Sequence, residues 1–481
     1  MLVDLAAVAA YALAMLYVGW RSRRQTGESY WVAERQFGTG RISASLIITV
    51  FGASTTMGVI SLGYSRGLTG AWWPLTGALA LFPFGIFFAK RVRGLAVYTL
   101  PDILRRAYGE RVAIPAALMI SISWCGVVAA QMIAGARLLE GVFELGYAPA
   151  LALVAAVFVL YSFWGGQLSV VRTDSWQLVL FVTGLLVCLM MVTAAIPGAG
   201  VDGPALIPRG HMRFPVSPAF GWYDLLVYYP LIVGLPFLVG PDLWSRVFCA
   251  KNEAVAQRSV FTAAVVIVPI ALALTLLGIL IRARFPGIQP DSALPVAIGQ
   301  LLPVGIRGLI VAGFLAAVMS SADTTLVTAS TILSLNVISP LRSSDDAQRL
   351  VYTKASLIVV GFVAWVVAGF EQGIIAALLL GYTVYVGGVV VPTLASFYRD
   401  RLALSGTGAM WAVIVGGVTA IVGEVGDGEL IRTLVGSGGN RLLETLLGSR
   451  YASILPIALS ILILVLVSRL TIHKRRGDTT Q

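Results

Sequence analysis

Residues 309–335 are apolar except at their centre, where the run Ala317-Val318-Met319-Ser320-Ser321-Ala322-Asp323-Thr324-Thr325 gathers four hydroxyls and a carboxylate. In a membrane-spanning helix the carboxylate alone costs about 2.5–3.5 kcal/mol to insert, so it must face a cavity, a partner or an ion. Spacing of i, i+3 and i+4 places Ser320, Asp323 and Thr324 on one helix face. Oxygen ligands gathered on one face suit a hard cation. Serine and threonine also bridge membrane helices by hydrogen bonding, which would explain the hydroxyls as packing groups but leaves Asp323 to the ion.

Little else in the chain offers chemistry of a different kind. The two imidazoles, His211 and His473, and the three thiols, Cys125, Cys188 and Cys249, form no zinc or disulfide pattern. No Ser-His pair or metal cluster falls in the apolar stretches, so the sequence is not expected to be an enzyme.

The elements that must position this run are membrane helices. The 481 residues are 58% hydrophobic and 12% charged, with a mean hydropathy of +0.88; a soluble domain carries about 25% charged residues. Stretches of ~20 apolar residues give about thirteen spans, so the fold class is an all-α polytopic membrane protein in the cell membrane, in contact with the lipid bilayer. The first span, ending at Arg21-Ser22-Arg23-Arg24, has no basic region before it and reads as a retained helix. Most of the 34 lysines and arginines fall in 21–41, 90–111, Arg172, 246–258, 342–354, 399–401 and 469–476. That alternation orients the N-terminus outside and the C-terminus in the cytoplasm. It also accounts for the net charge of +11 without nucleic acid, and no obligatory protein partner is evident. The longer connections 197–221 (with Pro197, Pro204, Pro208 and Pro215), 284–306 and 424–452 (with Ser437-Gly438-Gly439) are placed outside, over a vestibule.

Two spans are interrupted in matching ways, the second at Gly52-Ala53-Ser54-Thr55-Thr56 and Gly58, the seventh at Pro230, Gly234, Pro236, Gly240 and Pro241. Backbone groups freed at membrane depth must line a cavity or bind something. Paired interruptions in two halves point to a transporter site and to two inverted five-helix repeats. The segments are 1–25, a peripheral helix; 40–200, repeat one; 222–398, repeat two; and 402–481, two peripheral helices with a basic tail.

Several stretches, in order, resemble the sodium:solute symporter family, whose fold is of the LeuT type with 5+5 inverted repeats. They are Glu28-Ser29-Tyr30-Trp31-Val32-Ala33-Glu34-Arg35; Ser45-Leu46-Ile47 with Gly58 and Gly63-Tyr64-Ser65-Arg66-Gly67; Thr99-Leu100-Pro101-Asp102-Ile103-Leu104 with Tyr108-Gly109; Gly165-Gly166 with Thr173-Asp174 and Gln177; Pro241 with Arg246 and Ala250-Lys251-Asn252; and Ala317 with Ser320-Ser321. The resemblance implies a Na+ site made by the carbonyls of Ile48, Phe51 and Ala317 and the hydroxyls of Ser320 and Ser321. Five neutral oxygens suit a monovalent cation. It further implies a second cation or shared-proton site where Asp174 faces Asp323 and Thr324; two carboxylates in one small site repel unless a cation or proton sits between them. Thr173-Asp174 equally fits a cap at the start of the sixth helix.

Around a midplane cavity the residues expected to meet substrate are Ser54, Thr55, Thr56, Trp72, Gln131, Tyr228 and Tyr229. The family's sugar carriers have glutamine where this chain has Thr55, its proline carriers aspartate where it has Val50, and an aromatic often stands where Arg172 does. Pro236 and Pro241 look closer to the amino-acid and carboxylate carriers. The function implied is sodium-coupled import of a small organic solute, an amino acid or carboxylate ahead of a sugar. Proton coupling through Asp174 and Asp323 is the alternative, as is a solute sensor with a separate signalling partner, against which the short tail after Leu470 speaks.

Overall fold

Lipid offers no hydrogen bonds, so long uncharged stretches rich in alanine, leucine and valine must satisfy their backbone groups within their own helices. The computed structural model describes residues 1–196, 207–342, 344–424, 433, 436, 439–445 and 450–478. Among them there is no strand, only two isolated bridges. The helices that build the site are α1 (Leu2–Arg21), α2 (Thr39–Val50), α3 (Met57–Arg66), α4 (Glu110–Phe143), α5 (Tyr147–Ala194), α6 (Pro241–Phe248), α7 (Ile306–Leu333) and α8 (Ile374–Tyr385).

Eleven stretches among the described residues are long and apolar enough to cross a membrane. Two of them are too long to cross once. The 48 residues of α5 would reach about 72 Å, against a hydrocarbon core of ~30 Å. Gly166, at φ 53° and ψ −170°, turns the chain within it. A Cβ at Gly166 would lie 2.5 Å from the Tyr30 ring, so the turn needs glycine on both counts. Carbonyls freed there are taken up by Gln25 Nε2 on Gly165 (2.8 Å) and by the Tyr30 hydroxyl on Ser162 (2.9 Å). The stretch Met57–Gly94 likewise turns through the 3-10 segment Gly67–Ala71. Its first part, α3, completes the span that α2 begins. Each of these two turns divides one long stretch into two helical parts.

Helix α7 is buried along its whole apolar window, wrapped by α1, α4, α5 and Asp346–Phe370. Small residues let its neighbours approach: a Cβ on Gly308 would meet the Asp4 carbonyl oxygen at 2.4 Å, and one on Gly313 the Leu180 carbonyl oxygen at 2.9 Å. Asp4 fixes the start of α7, its Oδ1 accepting the amides of Gly305 (2.7 Å) and Gly308 (2.9 Å). Large apolar side chains left outside the bundle, such as Leu153, Leu160, Leu186, Met190 and Phe362, form the surface expected against lipid.

Of the first long connection, residues 208–220 lie over the end of α3. The Leu68 amide donates to His211 O at 2.7 Å and Trp72 Nε1 to Pro215 O at 2.8 Å. Pro197 and Pro204, Ser437 and Gly438, and residues 479–481 lie outside the described residues.

Candidate functional site

The break between α2 and α3 covers residues 51–56, where glycine, serine and two threonines interrupt the apolar run. Most freed backbone groups are satisfied nearby. Thr55 Oγ1 donates to the Val50 carbonyl, Thr56 Oγ1 to that of Gly52 (2.7 Å), and the Ala53 amide to Gln131 Oε1 (2.7 Å). The Phe51 carbonyl receives no hydrogen bond among the described residues. Ser321 of α7 presses on the break: a Cβ on Gly52 would lie 2.5 Å from Ser321 Oγ.

The second break is at Gly240, between Leu235–Val239 and α6, with φ −63° and ψ 123°. A Cβ there would lie 2.3 Å from the Pro236 carbonyl oxygen, which excludes other residues by crowding. The freed carbonyls of Val239 and Leu238 accept from the Tyr385 hydroxyl (2.5 Å) and Trp244 Nε1 (3.1 Å).

Beside the first break, a buried polar network joins four helices. Asp174 of α5 accepts from Ser45 of α2 and from Ser320 of α7 (2.6 Å). Arg246 of α6 lies 3.5 Å from Asp174, both side chains with no exposed surface. Its guanidinium also donates to Gln167 and Thr324. Thr324 is 3.4 Å from Thr49 of α2 and donates back to the Ser320 carbonyl (2.7 Å). Asp323 accepts from Ser162 at 2.9 Å through Oδ1, and its Oδ2 is buried without a partner. Asp174 therefore does not cap a helix. It lies well inside α5, and Thr173 bonds to Tyr161 (2.8 Å) and to the carbonyls behind it. Arg246, counted above with the cytoplasmic arginines, is instead inside the bundle, because Asp174 offers it a counter-charge there.

A polar cavity opens between the two breaks, bordered by Thr49, Gly52, Ser54, Thr55, Gln131, Ser321, Pro236, Phe237, Asp242, Trp124 and Tyr382. Of the residues expected to meet substrate, Ser54, Thr55 and Gln131 border it. Thr56 is fully buried and turned to Gly52 O. Trp72, Tyr228 and Tyr229 lie apart from it. Trp72 stacks on Phe214 at 5.1 Å, Tyr229 packs on Phe220 at 4.8 Å and accepts from Arg66 at 3.3 Å, and Arg450 covers the Tyr228 ring at 4.3 Å. Their rings pack on neighbouring loops and helix ends, in a layer apart from the cavity.

The model of the sodium:solute symporter family matches residues 30–416 of this sequence. The chain belongs to the sodium:solute symporter family. Over 463 residues the symporter is 25% identical to a sodium/glucose cotransporter of Vibrio parahaemolyticus, spanning 87% of this chain and 84% of that protein. It is 24% identical over 418 residues to a sodium/myo-inositol cotransporter of Mus musculus, spanning 76% of this chain and 58% of that one. A substrate-bound, outward-open Na+-coupled sialic acid symporter shares its fold, with a TM-score of 0.78 at 18% identity over 97% of this chain and 98% of the other. The symporter is thus a multi-pass membrane transporter coupled to Na+, carrying a small solute, and not an enzyme.

Sequence reasoning passed over three features of the symporter's site: the Arg246–Asp174 pair, Trp124 and Tyr382 in the cavity lining, and Asp242. The signal for Asp242 was available, since it follows Pro241 at an anticipated break. Nothing in the spacing of Arg246 and Asp174, 72 positions apart, announces their contact.

Proposed function

We propose that the symporter imports its solute by alternating access, with Na+ held by the carbonyls of Ile48, Phe51 and Ala317 and the hydroxyls of Ser320 and Ser321. The observation that carries this reading is a pair of unused oxygens: neither the Phe51 carbonyl nor the Ser321 hydroxyl is engaged by a hydrogen bond among the described residues, and Ser321 Oγ lies against Gly52, the residue that follows Phe51. Ser321 borders the polar cavity, and a monovalent cation there would supply the partner that its hydroxyl lacks. Ser320 donates its proton to Asp174, so its lone pairs remain free for the ion while the carboxylate polarises it.

Sodium would draw the break and α7 together, fixing the shape of the cavity and favouring the solute-competent state. Linkage requires that solute tighten sodium by the factor by which sodium tightens solute. One Na+ moving inward gains about 2.3 kcal/mol per 100 mV. The network from Ser45 through Asp174 and Arg246 to Thr324 spans α2, α5, α6 and α7, and must rearrange when the repeats, residues 40–200 and 222–398, rock against each other. With the N-terminus outside, this network faces the cytoplasm and acts as the inner closure. Trp72, Tyr228 and Tyr229 then belong to the outer one.

The second cation or shared proton expected at Asp174, Asp323 and Thr324 centres on Asp323, because Arg246 already pairs with Asp174 and donates to Thr324. The unpartnered Asp323 Oδ2 favours a charge there, Na+ or a proton. For the cargo, Pro236 and Pro241 support an amino acid or carboxylate, whereas the relatives are named for glucose and myo-inositol.

The test is solute-independent. Thermal stability of the purified protein is compared in NaCl and KCl at equal ionic strength, over a range of pH. A sodium-specific rise supports the site. Equal stability in both salts, with a pH-dependent rise in their place, moves the coupling ion to a proton at Asp323.

A further inference from the structure

The cavity between the two helix breaks contains a carboxylate that the sodium chemistry leaves unused. Asp242, the second residue of α6, borders it beside Thr55, Gln131, Trp124 and Tyr382. Its carboxylate accepts the backbone amides of Asp242 itself and Leu243 at the start of α6, but among the described residues no side chain donates a hydrogen bond to it and no ion pair reaches it. Arg246, one helical turn further on, is committed to Asp174, Gln167 and Thr324. Around the breaks, three carboxylates, of Asp174, Asp323 and Asp242, stand against the one guanidinium of Arg246 among the described residues. Sodium at the contact of α2 with α7 offsets part of that excess, but Asp242 stands on a different helix. An acid at a helix start complements the dipole; that role does not require it to border a cavity.

We propose that Asp242 recognises a protonated amine on the transported solute, pairing with it inside the cavity between the rings of Trp124 and Tyr382. A carboxylate beside aromatic rings is the combination that holds an ammonium group. A solute bearing a carboxylate and no amine meets like charge at Asp242. A neutral polyol can donate hydroxyls to it but leaves its charge unbalanced. The proposal deepens the sodium-coupled reading above and rests on it.

The experiment measures thermal shifts of the full chain in NaCl and in KCl with methylammonium, ethanolamine, choline, L-alanine and L-proline as amines, and lactate and myo-inositol as controls. At least one amine is expected to add stability in sodium, with lactate and myo-inositol inactive. Activity of the amino acids without the simple amines assigns a zwitterion, and the reverse a cationic amine; both support the proposal. Asp242→Asn is expected to raise the half-saturating amine concentration about 100-fold, as truncation of a buried charge pair does, with Asp242→Glu less affected. The shift due to sodium alone is expected to persist in Asp242→Asn, which shows that the variant is folded. Failure of every amine in sodium, stabilisation by lactate or myo-inositol instead, or unchanged amine binding in Asp242→Asn overturns the proposal. Loss of the sodium shift in the wild type fails the underlying reading instead, a separately visible result.

Discussion

Replacing Ser321 with alanine tests the proposed ion site. Its hydroxyl makes no hydrogen bond among the described residues, so Ser321→Ala removes one oxygen from the proposed sodium shell and orphans no protein group. Interactions with a charged group contribute about 1.5–3 kcal/mol each. At 1.4 kcal/mol per tenfold, the half-saturating sodium concentration rises about 10- to 150-fold. Titrated by thermal stability against KCl, a wild type at 100 times its Kd gains about 2.7 kcal/mol, and the variant at the same concentration gains about 0.3–1.4 kcal/mol. In KCl alone the two proteins agree within ~0.5 kcal/mol, as for any change that breaks no named interaction. Ser320→Ala behaves differently, because it also deprives Asp174 of a donor at 2.6 Å and weakens the protein in both salts. A sodium titration of Ser321→Ala that superposes on the wild type refutes the assignment of Ser321, and a large loss of stability in KCl refutes the claim that its hydroxyl is free.

Two further predictions test the framework around the ion. Arg246→Gln leaves Asp174 buried without its counter-charge and is expected to lower stability by about 3–5 kcal/mol, read by chemical or thermal unfolding in KCl; Arg246→Lys recovers little, since a lysine cannot reproduce the fork to Gln167 and Thr324. Gly52→Ala puts a Cβ 2.5 Å from Ser321 Oγ and is expected to cost about 1–3 kcal/mol through overpacking, while the double variant with Ser321→Ala regains part of that loss, a coupling that additive behaviour in the double-mutant cycle would disprove.

Much of the scaffold could be read from residue order. Runs of ~20 apolar residues declare membrane helices because lipid forbids unsatisfied backbone. Glycine and proline cluster at 52–58 and 230–241 and mark the breaks, since proline removes a ladder donor and glycine frees the backbone. Helical spacing singles out the face of Ser320, Asp323 and Thr324 from their positions alone. Spacing specifies a face but not what meets it. Ser320 could have bridged to any neighbouring helix; the fold brings it to Asp174 because α2, α5 and α7 pack together there. The nominated Trp72, Tyr228 and Tyr229 show the same limit: aromatics mark apolar surroundings, and nothing local distinguishes a cavity wall from the separate layer where they lie.

The sequence by itself therefore determined the helices, their breaks and the polar face of Ser320, Asp323 and Thr324, because each follows from local hydropathy, backbone chemistry and helical period. Only the tertiary structure decided that Arg246 is an interior counter-charge and that Asp242 borders the cavity with backbone amides but no side-chain counter-charge as partners. Both depend on which helices touch, and burial turns a charge that would be incidental in water into one that must be paired.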